Sequence, residues 1–145
     1  MDTFALHLVV DDVPRSISWY QEALGGAVNR ILRLPDGTIA TAELDIKGLP
    51  IALAAPVPGT TFATPKSTMT SVAAYRLAVP DADAAMATAL EAGATLSAPV
   101  QDAFWGVRTG EVLDPSGHRW AFDQRLRDVP IAELEARLAE LVSPS

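Results

Sequence analysis

Residues 4–26 read Phe-Ala-Leu-His-Leu-Val-Val-Asp-Asp-Val-Pro-Arg-Ser-Ile-Ser-Trp-Tyr-Gln-Glu-Ala-Leu-Gly-Gly. The apolar run 4–10 has the length of a buried strand and stops at Asp11-Asp12. Pro14 suits a first helical turn, and Val13, Ile17, Tyr20 and Leu24 recur at helical spacing. Gly25-Gly26 then supplies a left-handed exit. Working outward, residues 28–34 and 38–46 alternate around an Asp36-Gly37 turn, and 49–55 follow a Lys47-Gly48 turn. A first module with the order β-α-β-β-β is therefore expected over about 4–55.

Residues 56–71, rich in Pro, Gly, Thr and Ser and without periodicity, read as a linker. The order then begins again over about 72–124: an apolar strand at 72–79, a helix at 82–92 introduced by Asp81 and closed by Gly93, and strands at about 95–100, 106–113 and 118–124. The last strand follows the turn Asp114-Pro115-Ser116-Gly117. Asp12 and Asp81 lie 69 positions apart, Gly25 and Gly93 68, and Gly48 and Gly117 69, so the landmarks agree with the element order and the chain reads as a duplication. Residues 130–142 add an amphipathic helix without a counterpart in the first half. Its stripe of Ile131, Leu134, Leu138 and Leu141 must pack on the domain or on a second subunit. The fold class is thus α+β, a single domain over 1–142 in which two tandem modules form a curved mixed sheet around a cleft, with a C-terminal helix. One face of each sheet is covered by its helix, and function belongs on the open face.

A chain of 145 residues with 49% hydrophobic and 20% charged residues can bury a real core. Its net charge of −7 speaks against nucleic acid and anionic membrane surfaces as partners. The absence of cysteine removes disulfides, thiolate metal sites, iron–sulfur clusters and cysteine nucleophiles, leaving His, Asp and Glu as metal ligands. No apolar run approaches the ~20 residues that span a bilayer, and Asp2 leaves no basic region for a secretory signal. A cytoplasmic protein is expected. The Gly-x-Ser-x-Gly elbow, the phosphate loop, the dinucleotide fingerprint and the His-Glu-x-x-His helix are all missing from the sequence.

The duplicated unit, Asp-Val-Pro-Arg-Ser-Ile-Ser-Trp-Tyr at 12–20 and Asp-Pro-Ser-Gly-His-Arg-Trp at 114–120 resemble the vicinal oxygen chelate superfamily, which includes glyoxalase I, bleomycin resistance proteins and extradiol dioxygenases. The second motif, with Phe104-Trp105-Gly106-Val107-Arg108 before it and the final helix after it, is similar to a branch of small glyoxalase-like proteins, although Val107 stands where that branch more often has Asp. In metal-dependent members a His or Gln on each first strand and a carboxylate on each last strand hold one divalent ion. Carried over by counting from Asp12, Asp81 and Asp114, those positions fall on Ala5, Ala74 and Ala121, and on Ala52 by the repeat offset. Alanine offers no donor, so no metal site and no cofactor are expected.

Period-two alternation places His7 and Val9 with Ala5, Arg76 and Ala78 with Ala74, Pro50 and Ala54 with Ala52, and Arg119 and Asp123 with Ala121. This gives a small, apolar floor that admits a bulky flat molecule, with Trp105 at the mouth as a stacking surface. His7 is the candidate acid or base and Arg76 the candidate anion partner, each equally readable as a satisfied structural group. His118, Trp19 and Tyr20 read as structural. The expected function is metal-independent binding of a small planar or aromatic organic molecule by a homodimer, as in sequestration or antibiotic resistance. A metal-free enzyme using His7 for isomerisation, cyclisation or elimination is the alternative, and a divalent-metal-dependent lyase or dioxygenase comes last.

Overall fold

A computed structural model describes residues 5–143; Phe4, expected in the first strand, lies outside the described residues. Module one comprises β1 (Leu6–Val9), α1 (Val13–Leu24), β2 (Ala27–Arg33), β3 (Ile39–Ile46) and β4 (Leu49–Ala54). A connecting segment carries α2 (Pro65–Thr68). Module two repeats the order with β5 (Ala74–Ala78), α3 (Ala82–Glu91), β6 (Thr95–Asp102), β7 (Val107–Leu113) and β8 (Arg119–Arg125), and α4 (Ile131–Val142) ends the chain.

The repeated landmarks have local causes. The side chains of Asp12 and Asp81 accept from the N–H groups of Arg15 (3.1 Å) and Ala84 (3.0 Å), capping α1 and α3 identically. Gly48 and Gly117 take φ of 88° and 91° in the turns that admit the last strand of each module, a region that penalises a β-carbon. Each sheet then has the same order, β1-β4-β3-β2 and β5-β8-β7-β6, with the first and last strands parallel and the rest antiparallel.

The two sheets remain separate. Helices α1 and α3 pack against one another as well as on their own sheets, while no strand of one sheet neighbours a strand of the other among the described residues. One hydrophobic core joins the covered faces, drawing Leu8, Leu44 and Leu53 from sheet one, Val10 from just after β1, Val112, Trp120 and Phe122 from sheet two, and Ile17, Trp19, Tyr20 and Met86 from the helices. The duplicated α+β architecture is as the sequence predicts. A single curved sheet around a cleft is not closed within one chain, because the two helices occupy the junction.

A polar joint locks the modules. The Tyr20 hydroxyl donates to Asp114 Oδ2 at 2.5 Å and accepts from Trp120 Nε1 at 3.0 Å, all buried. Asp114 Oδ1 accepts from the backbone N–H groups of Ser116 and His118. The Ser116 hydroxyl accepts from Asp11 N–H at 2.9 Å, and His118 Nε2 pairs with the Val9 carbonyl at 2.7 Å. The motif at 114–120 is thereby a clasp on the end of β1, and His118 is structural. Burial, then the neighbouring Asp114 charge, pushes the Tyr20 phenol well above its ordinary range, so the donor stays protonated.

One expectation needs correction. The connecting segment is not featureless: Thr64 is buried, accepts from Ser67 N–H to cap α2, and donates to the Asp11 carboxylate. For the final helix, which the sequence lets pack on the domain or on a second subunit, the domain leaves most of the stripe uncovered. Ile131, Leu138 and Leu141 remain 73%, 51% and 64% exposed, and α4 is tied to the body through Arg127–Glu133 and Arg137 over the Phe104 ring.

Candidate functional site

Alternation determines what stands on each open face. On sheet one, His7 sits beside Ala52 across the parallel β1–β4 pair, and Ala52 faces Glu43 on β3. The His7 side chain is exposed, makes no hydrogen bond among the described residues, and stacks on Phe62 of the connecting segment with centroids 6.1 Å apart and planes 21° from parallel. Ala5 is exposed just ahead of β1. Glu43 receives a two-pronged bond from Arg30 on β2, at 2.8 and 2.7 Å. That bond holds its carboxyl below the usual range.

On sheet two, β5 contributes Ala74 and Arg76, and β8 contributes Arg119, Ala121 and Asp123. Arg76 forks onto Asp123, with Nε and Nη2 each 2.7 Å from a carboxylate oxygen; Thr109 donates to the same carboxylate at 2.7 Å. Burial works against ionisation of Asp123, yet the bonds from Arg76 and Thr109 outweigh it and set its carboxyl below the usual range. Arg119 Nη1 reaches Glu111 Oε2 at 2.6 Å and the Ser97 hydroxyl at 3.1 Å, and that hydroxyl donates to Glu111 at 2.6 Å. Ala121, which opposes both Arg76 and Glu111, is only 2% exposed.

This corrects the expected small, apolar floor. On sheet two it is crossed by the Arg76–Asp123 and Arg119–Glu111 pairs, and sheet one carries Arg30–Glu43. Glu43 and Glu111 were not singled out from the sequence, although they stand 68 positions apart and face Ala52 and Ala121 in the same register. The repeat offset, applied to the middle strands, finds them. His7 and Arg76 are not brought together within one chain, since β1 and β5 belong to sheets that do not meet. Trp105 occupies the turn between β6 and β7, 45% exposed and edge-on to Phe104 at 5.1 Å.

A divalent metal, which the resemblance implies for some relatives, does not fit this donor set. Ala52 and Ala121 carry no donor, and the carboxylates beside them, Glu43, Glu111 and Asp123, each already hold an arginine.

Comparison with known proteins accords with this architecture. A family model described as the Glyoxalase/Bleomycin resistance protein/Dioxygenase superfamily matches residues 2–122. An uncharacterized protein of Mycobacterium bovis is 37% identical over 136 residues, covering 92% of this chain and 90% of its own length. The X-ray structure of a gene product from Arabidopsis thaliana is similar with a TM-score of 0.70 at 28% identity, over 85% of this chain and 98% of that one. An antibiotic binding protein from Streptomyces sp. CB03234 shares the fold with a TM-score of 0.60 at 20% identity, over 86% of this chain and 98% of that one.

Proposed function

The chain belongs to the Glyoxalase/Bleomycin resistance protein/Dioxygenase superfamily, and from that premise we propose that it is a metal-independent binding protein, sequestering a small planar or aromatic organic molecule in a cleft between two copies of the chain. The observation that carries the reading is the set of alanines, Ala5, Ala52, Ala74 and Ala121, at the positions that counting from the family resemblance assigns to metal ligands. The fold serves an antibiotic binding protein in Streptomyces sp. CB03234; at that identity the likeness is one of fold, and the ligand here is argued from this chain's own residues.

Two open faces on separate sheets that share one core leave a single chain without a closed cleft. A two-fold pairing that sets sheet one of one copy against sheet two of the other makes two equivalent clefts. Each cleft then combines His7, Phe62 and the space over Ala52 with the neutralised pairs around Ala121. The uncovered stripe of α4 supports the same assembly, since its leucines need a partner surface. Flat aromatic ligands suit walls whose charges are already paired, because binding then leaves no bare charge desolvated. A cytoplasmic location is part of this reading.

The test is a thermal-shift panel of planar natural products on the wild type and on Ala52→Trp, which fills the floor. A ligand that raises the melting temperature of the wild type and not of the variant supports the reading. A panel without any stabilising compound sinks it. One observation favours a catalytic alternative: the His7 imidazole stands exposed on an open face without a hydrogen-bond partner among the described residues, as a proton-transfer group requires. Under that alternative, His7→Ala abolishes turnover of a bound compound while preserving its affinity.

A further inference from the structure

Of the eleven Lys and Arg side chains, all but two donate a hydrogen bond within the described structure. Arg30, Arg76, Arg108, Arg119, Arg125, Arg127 and Arg137 pair with carboxylates, Arg33 bonds the Gly37 carbonyl, and Lys47 bonds the Ala78 carbonyl. The two left over, Arg15 and Lys66, are both exposed and line the same cavity of about 410 Å³. In a chain of net charge −7, these are the two cations whose side chains donate no hydrogen bond among the described residues, and both line one hollow.

The cavity lies at the end of sheet two, between the first turn of α1, the connecting segment around α2 and the starts of β6 and β8. Its position is fixed by the chain: Lys66 N–H bonds the Ser116 carbonyl at 2.9 Å, and a β-carbon on Gly117 would come within 2.8 Å of Lys66 N. Arg119 also lines it, so three cationic residues contribute to its wall. Asp114 is the one carboxylate in the lining, and both of its oxygens are already engaged, by Tyr20 and by the N–H groups of Ser116 and His118. The remaining wall is mixed, with Ser71 and Thr95 as well as Leu113 and Pro115.

We infer that this cavity is a second ligand site, adjoining the open-face cleft at Arg119, for a small organic anion: a carboxylate or phosphate group held by Arg15 and Lys66 with Arg119 at the rim, on a compact apolar body lying against Leu113 and Pro115. Cations with donors to spare give an anionic group charge-assisted bonds, and the apolar wall gives its body a place out of water. An acidic surround repels anions elsewhere on the surface, so binding is confined to this hollow.

The test uses benzoate and phenyl phosphate as probes and benzamide as the uncharged counterpart, by calorimetry and thermal shift at constant ionic strength. The site predicts saturable binding of the two anions and none of benzamide. The ratio of the two anion affinities identifies the head group it prefers. Arg15→Gln combined with Lys66→Gln should weaken that binding by about tenfold or more, while Arg33→Gln leaves it unchanged. Both substituted side chains are exposed, and the circular dichroism and melting temperature of the double variant check that it folds. Absence of anion binding to the wild type, binding of benzamide as tight as benzoate, or equal anion affinity in the double variant would overturn the inference.

Discussion

Replacing Tyr20 by Phe tests whether the two modules are held in register by their buried polar joint. The substitution keeps the ring that packs edge-on against Trp19 and Trp120 and removes one oxygen. That oxygen donates to Asp114 Oδ2 at 2.5 Å and accepts from Trp120 Nε1 at 3.0 Å. A bond to an ionised partner contributes about 1.5–3 kcal/mol, and stranding a buried donor costs about 1–3 kcal/mol. The two losses share one atom and do not add fully, so a destabilisation of about 3 kcal/mol is expected. For a domain of this size that lowers the melting temperature by roughly 6–12 °C. The pH dependence carries the second half of the prediction. Burial raises the Asp114 carboxyl above its usual range, and the Tyr20 bond opposes that shift. Without the hydroxyl the folded-state carboxyl rises further. Ionisation of a group whose folded pKa is raised costs native stability as pH climbs from the unfolded pKa through the folded one. The deficit of the variant is therefore full at neutral pH and shrinks on acidification, leaving the share owed to Trp120. Urea titrations at several pH values measure it. A deficit below about 1 kcal/mol at pH 7 would refute the assignment of the joint, as would one that grows as pH falls.

Three further outcomes follow from the faces and the final helix. Arg76→Ala removes a half-exposed pair and should cost about 1 kcal/mol. Because the pair holds Asp123 below its usual range, that cost is present above the unfolded carboxylate pKa and fades as pH falls through the folded one, as parallel melts of wild type and variant will show. Leu138→Glu places a charge on the exposed stripe of α4. It should weaken self-association by tenfold or more in sedimentation equilibrium while leaving the monomer's melting unchanged, and an unaffected association constant would remove α4 from the interface. Protein exposed to nickel, zinc, iron and manganese and then dialysed should retain no stoichiometric ion by elemental mass spectrometry. One tightly held ion per chain would show that the alanine positions were misassigned.

The modules were legible in the sequence because their boundaries are local chemistry: Asp12 and Asp81 cap helices whichever way the modules pack, and the turn glycines need only their own φ. The relation between the modules was not. Whether β1 meets β5, or α1 meets α3, depends on contacts between residues some 70 positions apart, and helix and strand periodicities are the same in either case. For the site, alternation placed His7, Arg76 and Arg119 on the open faces, yet it described the floor from β1, β4, β5 and β8 and left out the middle strands β3 and β7. Glu43 and Glu111 enter from β3 and β7 through register, which a strand pattern does not encode until its neighbours are known. α2 was missed because one turn capped by Thr64 has too few residues to show a period.

Ala121 has a consequence for how this protein can change. Its methyl group is enclosed, with Arg76 and Glu111 on the neighbouring strands directly beside it. A carboxylate introduced there by one mutation would meet two guanidinium groups already turned toward this face and be captured by them before any ion arrived. Metal chemistry on this sheet therefore lies several coordinated substitutions away. New specificities are more accessible to this scaffold through the shape of its hollows than through acquisition of a catalytic ion.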